Sequence, residues 1–478
     1  MSIHGHIFEI ACVTIEARTP HAVQAGRGDA THDVLVLRDA NDLPIIPGTS
    51  LAGVLRHMYE DRFGVDKTRE LFGYVEGDQG APSVARIGPA LVHDSQNRPV
   101  EGLRQGLDKD KLLGLLTQEK PLVRQRVRLN ARGAAEHRGK FDVTLVPAGT
   151  RYSFLLSRYS NGEDEEFEAL LNMLGEPDFR LGHGTRSGGG AFDIVAIRRK
   201  RWDLTQEKDW HAFRERPRTR AAFIEEDKQP DTPKHSEHRG AAIRITLNLQ
   251  AEAGWRVGGG EEVLSRINAP NDDSERMPDL LPQSEQRIQW VKDKAEILSG
   301  QEGVVLPGSA VKGALRHRLA FHYRRLTGEF ADDIEPLPPA EACDAVRQIL
   351  GYAKEDDESN PGQRGRLLID DTYIEDPKPY TQMHNRIDRF TGGVIDGALF
   401  EEELLWQTRL NLEMTLLDGS NIDTVIRQAL QHALDDLACG RLPLGAAGSR
   451  GHGVFHGTVE CEPALVNDQE EVMNENQA

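Results

Sequence analysis

The hydrophobic and polar positions along the chain predict the same order of elements twice. A run rich in β-branched residues at 7–15 predicts a buried strand, and 242–249 predicts its counterpart in the second half. Apolar residues at helical spacing predict amphipathic helices at 163–174 and 422–437. With the shorter segments between them, each half has the order strand, helix, strand, strand, helix, strand. This pattern predicts an α+β protein of two tandem β-α-β-β-α-β domains, the ferredoxin-like arrangement, with inserted arms.

The strongest repeated feature is a Pro-Gly turn that begins a helix. Residues 46–57 have the sequence IPGTSLAGVLRH, and residues 306–317, located 260 positions later, have LPGSAVKGALRH. The turn, a hydroxyl residue able to cap a helix, and small residues behind it predict helices over 50–63 and 309–326. Such a helix start offers unpaired N–H groups and the positive end of the helix dipole, which suits a phosphate. An ordinary capped helix explains either copy alone, but it does not explain the duplication.

Changes in composition predict the domain boundaries. The first domain covers 1–200 and the second covers 241–461, and each ends in a glycine-rich loop followed by a strand. The segment 201–240 mixes aromatic residues with arginines and then becomes acidic, so it predicts a linker whose first part could be a helix packed on a neighbour. The polar and acidic segment 462–478 predicts a disordered tail.

Composition narrows the class of protein. The 478 residues include 77 acidic and 58 basic side chains, and the formal net charge of −19 excludes binding to nucleic acid through bulk positive charge. Any nucleic-acid-binding surface must therefore be a local basic groove. None of the four cysteines forms a Cys-x-x-Cys pair, which indicates neither a zinc ribbon nor a disulfide framework and fits a reducing compartment. No signal peptide or membrane-spanning run is evident, so we expect a cytoplasmic protein without a membrane partner.

Basic residues and glycines also recur at corresponding places in the two halves. The segment 124–140 has six basic residues and one acid and predicts a basic hairpin or arm, although a solvated surface loop explains it as well. Residues 384–393 stand at the corresponding place in the second half. The glycine-rich loops are 182–190 and 445–453, and each leads into a strand.

This ordered set of features resembles the RAMP superfamily and, more narrowly, two fused backbone subunits of a type III CRISPR effector complex. The resemblance covers residues 5–200 and 240–460. It implies an RRM-like fold and subunits that stack along a guide RNA, with the Pro-Gly and glycine-rich loops against its phosphates. It also implies a hairpin that kinks the guide–target duplex and a loop aspartate that cuts the target. The implied partners are the CRISPR guide RNA, the target RNA and the other effector subunits.

The resemblance also implies where the cutting residue lies, namely in a loop shortly before an Arg-Asp or Arg-Glu pair and the Pro-Gly turn. Asp33 stands 15 positions before Gly48, and Asp293 stands 15 positions before Gly308. We therefore expect Asp33 and Asp293 to be catalytic. An Arg-Asp pair follows Asp33 but not Asp293, so Asp293 is the weaker candidate.

A single carboxylate is enough for this chemistry. It can orient the 2′-hydroxyl of the target, or hold a divalent cation such as Mg²⁺ near the scissile phosphate. The 2′-oxygen is then the nucleophile, and a kinked backbone supplies the in-line geometry. We expect no organic cofactor. The alternative for an aspartate in such a loop is that it shapes the turn.

The repeated basic positions, together with the resemblance, predict the residues that bind RNA. The family's lysine in the turn is present only as Lys312, because Ala52 takes its place in the first copy, so we expect a weaker phosphate contact there. The predicted residues lie in the Pro-Gly turns and their helices, in the two arms and in the glycine-rich loops. They are Gly48, Thr49, Ser50, Arg56, Arg126, Arg128, Arg132, Gly188, Gly189, Gly190, Gly308, Ser309, Lys312, Arg316, Arg386, Arg389, Arg450, Gly451 and Gly453.

Two other functions stay open. A guide-RNA-binding scaffold of the same fold would not cut, or would cut at one repeat only. A CRISPR precursor-RNA processing endonuclease of the same superfamily would use histidines for general acid–base catalysis. Only two histidines match around the turn, and both are expected within the helix on its basic face. The histidines near the duplicated loops are His21, His32, His57, His183, His317 and His452.

Overall fold

The computed structural model describes residues 5–24, 35–130, 135–162, 165–227, 230–231, 242–265, 277–330, 340–353 and 362–466. The predicted catalytic residue Asp33, the predicted RNA-binding residue Arg132 and His32 lie outside the described residues. Among the described residues, no helix combines the length and the apolar character needed to cross a membrane.

The first domain is built on an antiparallel sheet. Its strands are β1 (Ile7–Ala17), β2 (Ile45–Ile46), β3 (Tyr74–Glu76), β4 (Gln79–Ala81), β5 (Arg86–Ile87), β6 (Ala90–Val92), β7 (Leu122–Leu129), β8 (Ala135–Leu145), β9 (Arg151–Ser160) and β10 (Phe192–Asp203). Its helices are α1 (Gly48–Phe63), α2 (Val65–Phe72), α3 (Lys111–Leu116), α4 (Glu165–Met173), α5 (Glu207–Arg214) and α6 (Arg220–Glu226). The sheet order is β10-β1-β9-β6-β2, with β5 also paired to β9. The strand β1 is central because ten of its eleven residues are buried.

The second domain repeats this plan. Its strands are β11 (Ile243–Ala251), β12 (Gly254–Trp255), β13 (Arg287–Val291), β14 (Lys294–Leu298), β15 (Val305–Leu306), β16 (Gly351–Tyr352), β17 (Gln363–Arg364), β18 (Leu367–Ile369), β19 (Thr372–Tyr373), β20 (Pro379–His384), β21 (Phe400–Trp406), β22 (Arg409–Leu416) and β23 (Phe455–Glu462). Its helices are α7 (Gly308–Thr327), α8 (Asp344–Leu350) and α9 (Thr424–Ala438). Short 3-10 helices in the chain are Leu107–Lys109, Gly300–Gly303, Ala340–Ala342, Gly419–Asn421 and Gly448–Arg450. The main sheet has the order β18-β22-β11-β23.

Both main sheets have the strand order of a ferredoxin-like fold. In the first domain β10, β1, β9 and β6 are the fourth, first, third and second strands of the motif, and β23, β11, β22 and β18 have the same order in the second. The apolar faces of the helices close a core over one face of each sheet, with Leu51 and Leu55 of α1 and Leu315 and Leu319 of α7 fully buried. The predicted fold class, two tandem α+β ferredoxin-like domains, is confirmed.

The opposite faces of the two sheets differ. In the first domain α5 and α6, which lie in the segment expected to be a linker, cover this face through an aromatic cluster of Phe8, Trp202, Phe213 and Phe223. In the second domain the face is polar, and side chains such as Asn248 of β11 are exposed. The described residues of the second domain leave this sheet face open, and its strands place no Phe, Tyr or Trp there for RNA bases to stack on, as they do in RRM proteins.

Both Pro-Gly turns lead directly into their helices. The helices begin at Gly48 and Gly308, and Pro47 and Pro307 are the N-cap residues, with φ near −60° and −65°. The expectation that a hydroxyl side chain caps these helices is wrong, because neither N-cap has a side-chain hydrogen bond and Thr49 already lies in the first turn. Proline sets the extended N-cap conformation through its ring, which leaves the hydroxyl groups free of the capping role.

A hairpin of the second domain packs on the first domain. It consists of β13 and β14, and its Ile288 is buried in the hydrophobic core of the first domain. Trp290 Nε1 donates to the carbonyl of Gly149 at 2.7 Å, and the amide of Ala295 donates to the carbonyl of Ser95 at 3.0 Å. This hairpin, which precedes the second Pro-Gly turn, therefore joins the two domains.

Candidate nucleic-acid interface

The glycine-rich loop of the first domain lies against the start of α7 in the second. Gly188, with φ of +101°, forms a parallel bridge to Asp370, and a Cβ atom at Gly188 would lie 2.0 Å from Asp371 Oδ1. A Cβ atom at Gly308 would in turn lie 2.9 Å from Gly188 Cα. Glycine is required at both positions because the two backbone segments lie too close together to leave room for a Cβ atom. The two predicted phosphate-binding motifs thus meet, one from each domain.

A buried ion network closes this contact. Arg124, at the base of the first arm, donates to Glu285 at 2.8 and 2.7 Å and to Asp371 at 2.6 Å. Burial alone would lower the pKa of Arg124, but Asp371 and Glu285 outweigh it and raise this pKa. Asp371 Oδ1 also accepts the N–H of Gly308 at 2.7 Å, and Tyr373 donates to Glu285 at 2.7 Å. The predicted phosphate donor Gly308 is therefore buried and bound by a carboxylate of its own domain.

Three cationic side chains meet beside this contact, and we call Arg186, Lys312 and Arg316 the seam. Lys312 Nζ donates to the carbonyl of Leu350 at 3.0 Å. Burial, and then the charges of Arg316 and Arg186, lower the pKa of Lys312 from 10.5 to about 8. Burial lowers the pKa of Arg186 to about 10, although Asp178, at 2.6 Å, opposes this change. Both lowered pKa values mean that the positive charges are unfavourable here, because nearby negative charge does not fully compensate them. A phosphate anion bound at the seam would therefore stabilise these charges.

The corresponding helix of the first domain is arranged differently. A Cβ atom at Gly48 would lie 2.2 Å from the carbonyl oxygen of Ile87, as one at Gly308 would approach that of Ile369. Gly88 and Pro89 therefore stand where the second domain has its two aspartates. Thr49 is exposed, Ser50 and Arg56 are half-buried, and Arg56 Nη1 donates to the carbonyl of Gly73 at 3.2 Å. Among the residues that the structure describes, this helix start has no counterpart to the Asp371 contact that closes α7.

The first arm is a β-hairpin. Strands β7 and β8 pair antiparallel, and Arg128 projects with 63% of its side chain exposed. Arg126 is half-buried and reaches toward the glycine-rich loop, since a Cβ atom at Gly184 would lie 3.8 Å from its Nη1. Burial, and then the charge of Arg124, lower the pKa of Arg126. The arm therefore presents Arg128 outward and directs Arg126 toward the loop.

The second arm extends from β20 and β21. Its predicted RNA-binding residues Arg386 and Arg389 are exposed. Large apolar side chains project beside them, with Phe390 90% and Ile387 60% exposed. Asp388 holds the turn by accepting the amides of Phe390 at 2.9 Å and Thr391 at 2.8 Å. The arm thus exposes both cationic and apolar side chains on a turn that Asp388 holds in place.

The remaining glycines of the loops have structural contacts. Gly189 and Gly190 are buried, and their amides donate to the carbonyls of Gly184 at 3.2 Å and Pro20 at 3.0 Å. Gly451 is exposed, whereas a Cβ atom at Gly453 would lie 2.1 Å from the carbonyl oxygen of Leu444. Gly189, Gly190 and Gly453 therefore shape the loops, and Gly451 is accessible.

Asp293 lies in the turn between β13 and β14. Both Lys292 and Asp293 have positive φ, 47° and 64°. Asp293 Oδ1 accepts a hydrogen bond from Asn97 of the first domain at 2.8 Å and lies 3.8 Å from Arg151 Nη1, and 79% of the side chain is exposed. Its carboxylate thus takes part in the contact between the domains.

The predicted RNA-binding residue Ser309 lies in the first turn of α7, where it is half-buried.

The histidines near the duplicated loops do not form one group. His21 is buried against Tyr152, to which it is hydrogen-bonded at 2.9 Å, and burial lowers its pKa to about 3. His57 is an exposed helix residue 3.7 Å from Asp61, and His183 is hydrogen-bonded to Gln24. His317 lies within α7, as expected. The structure instead brings His452 to a histidine that sequence reasoning did not single out, His384, with ring centroids 6.2 Å apart.

Several residues of the interface were not predicted. Arg186 had a usable signal, since it is a cation inside a predicted phosphate-binding loop. Arg124 was part of the basic arm, but its pairing with Glu285 and Asp371 spans 161 and 247 positions. Glu402, a buried carboxylate 2.7 Å from His384 Nε2, lies in the acidic run Glu401–Glu403, which has no local sign of burial. These roles depend on contacts between distant segments.

A comparison with protein-family models finds one family, described as the RAMP superfamily, over residues 14–193 and 251–456. The two matched regions correspond to the two domains of the structure. A comparison with curated proteins finds no match.

Proposed function

The chain belongs to the RAMP superfamily, with two tandem domains of that family, and on this premise we propose that it is a backbone subunit of a type III CRISPR effector complex. In this role it binds the guide RNA and cuts the complementary target RNA. Membership supports the general role of a CRISPR-associated subunit that works with RNA and with other subunits. The assignment to type III and the cutting activity are the proposal.

The seam is the observation that best supports guide binding. It combines Arg186 of the first domain with Lys312 and Arg316 of the second, so an RNA bound there crosses the joint between the domains. Burial and mutual repulsion oppose the charge of Lys312, and a bound phosphate would favour it. Because the protein as a whole is acidic, such local cationic sites direct where the RNA binds. The exposed Arg128, Arg386 and Arg389 of the arms add contacts to the backbone of a kinked strand.

The proposed cutting residue of the first domain is Asp33. Its carboxylate would orient a 2′-hydroxyl of the target, whose oxygen attacks the adjacent phosphorus and gives up its proton to water. The bond from phosphorus to the 5′-oxygen breaks, and that oxygen takes a proton from water. The products are a 2′,3′-cyclic phosphate and a 5′-hydroxyl. The Arg-Asp pair behind this loop has structural contacts, because Asp39 accepts the amides of Asn41 at 2.7 Å and Leu43 at 3.0 Å. The base of the loop is therefore held in place.

The second domain supports an alternative for its own half, a scaffold that binds guide RNA without cutting. Asp293, its predicted catalytic residue, accepts a hydrogen bond from Asn97 and belongs to the hairpin that packs on the first domain. This contact suits a residue that positions the two domains. A precursor-RNA processing activity of the chain has no comparable support. Among the described histidines named for it, His21 is buried against Tyr152, His57 is an exposed helix residue and His317 lies within α7.

Target cleavage by the assembled complex tests these assignments. We expect Asp33→Ala to remove one product band and leave guide binding unchanged. For Asp293, the comparison of Asp293→Ala with Asp293→Asn is decisive, because asparagine keeps an oxygen for Asn97 but has no carboxylate. If Asp293 cuts, both variants lose a product band that the wild type makes. If Asp293 only positions the domains, no band depends on its carboxylate, and Asp293→Asn gives the wild-type products. Unchanged cleavage by a complex with both alanine substitutions would contradict the nuclease proposal.

A divalent cation such as Mg²⁺ is part of the proposal only as an expectation for cleavage. Among the described residues, no group of three or more His, Cys, Asp and Glu side chains is arranged to hold a metal ion, so we assign no ligand. Removing divalent cations with EDTA and restoring Mg²⁺ tests the requirement. We expect cleavage to stop and return, while guide RNA stays bound.

A further inference from the structure

The second glycine-rich loop forms part of a buried charge cluster, which we call the Glu402 cluster. Glu402 of β21 has no exposed side-chain surface, and four groups from three other segments surround it. Its carboxylate lies 2.7 Å from His384 Nε2, 3.1 Å from Arg256 Nε, 3.3 Å from Arg450 Nη2 and 3.7 Å from His452 Nδ1. A single buried carboxylate is thus shared by two arginines and two histidines.

The cluster has more positive than negative charge. One carboxylate faces two guanidinium groups, which leaves one positive charge before either histidine binds a proton. Burial lowers the pKa of His452. The negative charge of Glu402 raises this pKa, whereas three neighbouring groups lower it further. These groups are Arg450, His384 and Arg256. Tyr380 is the further titratable group that senses Glu402, since burial and then this carboxylate raise its pKa. Burial and the neighbouring cations therefore disfavour a proton on His452 until another anion is present.

The cluster is accessible from one side. Arg450 is 40% exposed, while the side chains of His384 and His452 are 17% and 11% exposed. The ring of Phe400 stacks on His384 with centroids 4.9 Å apart, and the guanidinium of Arg450 lies 5.7 Å from the same ring. His384 Nε2 and His452 Nδ1 lie close to the Glu402 carboxylate but make no hydrogen bond, so both imidazoles keep hydrogen-bonding capacity for a further ligand. An anion that reaches Arg450 therefore also reaches the histidines.

The described part of the first domain has no such cluster at its glycine-rich loop. Its glycine-rich loop has the same length, and the first and last glycines of the two loops have matching φ values, 89° and 90°, then 73° and 73°. Position by position, Gly189 stands where the second loop has His452, and Ser187 stands where it has Arg450. The first loop packs on α7, whereas the second loop has Arg450 and Gly451 at the surface. Arg450 and His452 thus occur in the loop that the described residues leave exposed at Arg450 and Gly451.

We propose that the Glu402 cluster binds one phosphate of RNA and takes up a proton as it does so. Arg450 and the two imidazoles contact the phosphate, and Glu402 with Arg256 holds both rings in place. The anion offsets the repulsion between the cations, so protonation of a histidine becomes favourable in the complex. The inference rests on the proposed function for its ligand, RNA, and adds His384, His452 and Glu402 to the binding residues.

The test is the pH dependence of RNA binding by the full chain, measured by fluorescence anisotropy with a labelled single-stranded RNA at constant salt. If one proton is taken up, the affinity falls roughly tenfold between pH 6 and pH 7. We expect the double variant His384→Gln, His452→Gln to lose most of this dependence and to bind at pH 6 as the wild type does at pH 7. His456→Gln is the control, because His456 is an exposed histidine of the same domain that pairs with Glu252 instead.

Circular dichroism melting of each variant separates binding from folding. An unchanged pH dependence in a folded double variant would overturn the inference, as would Arg450→Ala binding RNA with wild-type affinity. If the variants bind RNA normally and fail only to join neighbouring subunits, the cluster binds a protein carboxylate and the inference is again wrong. Absence of any RNA binding by the wild-type chain would instead contradict the proposed function, so the two failures are distinguishable.

Discussion

Replacing Lys312 by methionine should make the free protein more stable and its RNA complex weaker. Lys312 is a charged residue that the fold disfavours, because burial and two neighbouring arginines lower its pKa from 10.5 to about 8. A shift of this size corresponds to about 3 kcal/mol of unfavourable free energy for the charged form at neutral pH. The hydrogen bond to Leu350, which methionine cannot make, offsets about 1 kcal/mol of the gain. We therefore expect Lys312→Met to stabilise the free protein by about 2 kcal/mol.

The pH dependence of this effect has a definite sign. Between pH 8 and pH 10.5 the unfolded chain keeps a proton on Lys312 that the folded chain has lost, so this group makes the wild type more stable as the pH rises. The advantage of Lys312→Met should therefore shrink across the same window. Thermal unfolding at several pH values measures it, with an expected increase of about 5 °C at pH 7.

RNA binding should change in the opposite direction. Loss of one phosphate contact lowers the slope of log affinity against log salt by about 0.7 for a single strand and weakens binding by about tenfold. Lys208→Met is the matched control, since Lys208 is an exposed residue of α5, and it should change neither quantity. A destabilised Lys312→Met protein, or one that binds RNA with an unchanged salt slope, would refute the reasoning.

Two further predictions concern the stability of the joint and of the first domain. Arg124→Met leaves two buried carboxylates without their cation, and we expect a loss of about 3–5 kcal/mol in urea unfolding, while Arg128→Met on the same hairpin costs less than about 0.5 kcal/mol. Burial lowers the pKa values of His21 and His93 from 6.5 to about 3 and about 4, so between pH 6 and pH 4.5 the unfolded state binds both protons first. The unfolding free energy should therefore fall by about 2.7 kcal/mol for each unit by which the pH is lowered in this range. In His21→Gln it should fall by about half of that amount. Equal pH slopes in the variant and the wild type would contradict this account.

The repeated elements were predictable because their signals are local. Helical spacing, the Pro-Gly turns and the glycine-rich loops identify α1, α7 and α9 and their order from the sequence alone. The helix starts differ by one or two residues, because Pro47 and Pro307 set the extended conformation that a hydroxyl cap was expected to follow. The hairpin β13–β14 shows the limit of such signals, since Ile288 is apolar but packs in the core of the other domain.

The residues of the candidate site likewise fall into those that a local sequence signal identifies and those that depend on contacts between distant segments. Lys312 and Arg316 were predictable from their place after a duplicated turn, and they lie in the seam. The contribution of Arg186 depends on how one domain packs on the other, which the sequence does not encode locally. Glu402 and His384 are separated by a loop and meet across paired strands, so their common site becomes visible only with the strand register of β20 and β21.

The most direct test of the central claim is a cross-linking map of the guide RNA in the assembled complex, with thiouridine at successive guide positions. The account predicts that one guide segment cross-links to peptides from both 182–190 and 308–316, the two sides of the seam. The contradicting result is that guide cross-links avoid both peptides and are confined to the exposed sheet face of β11, β22 and β23.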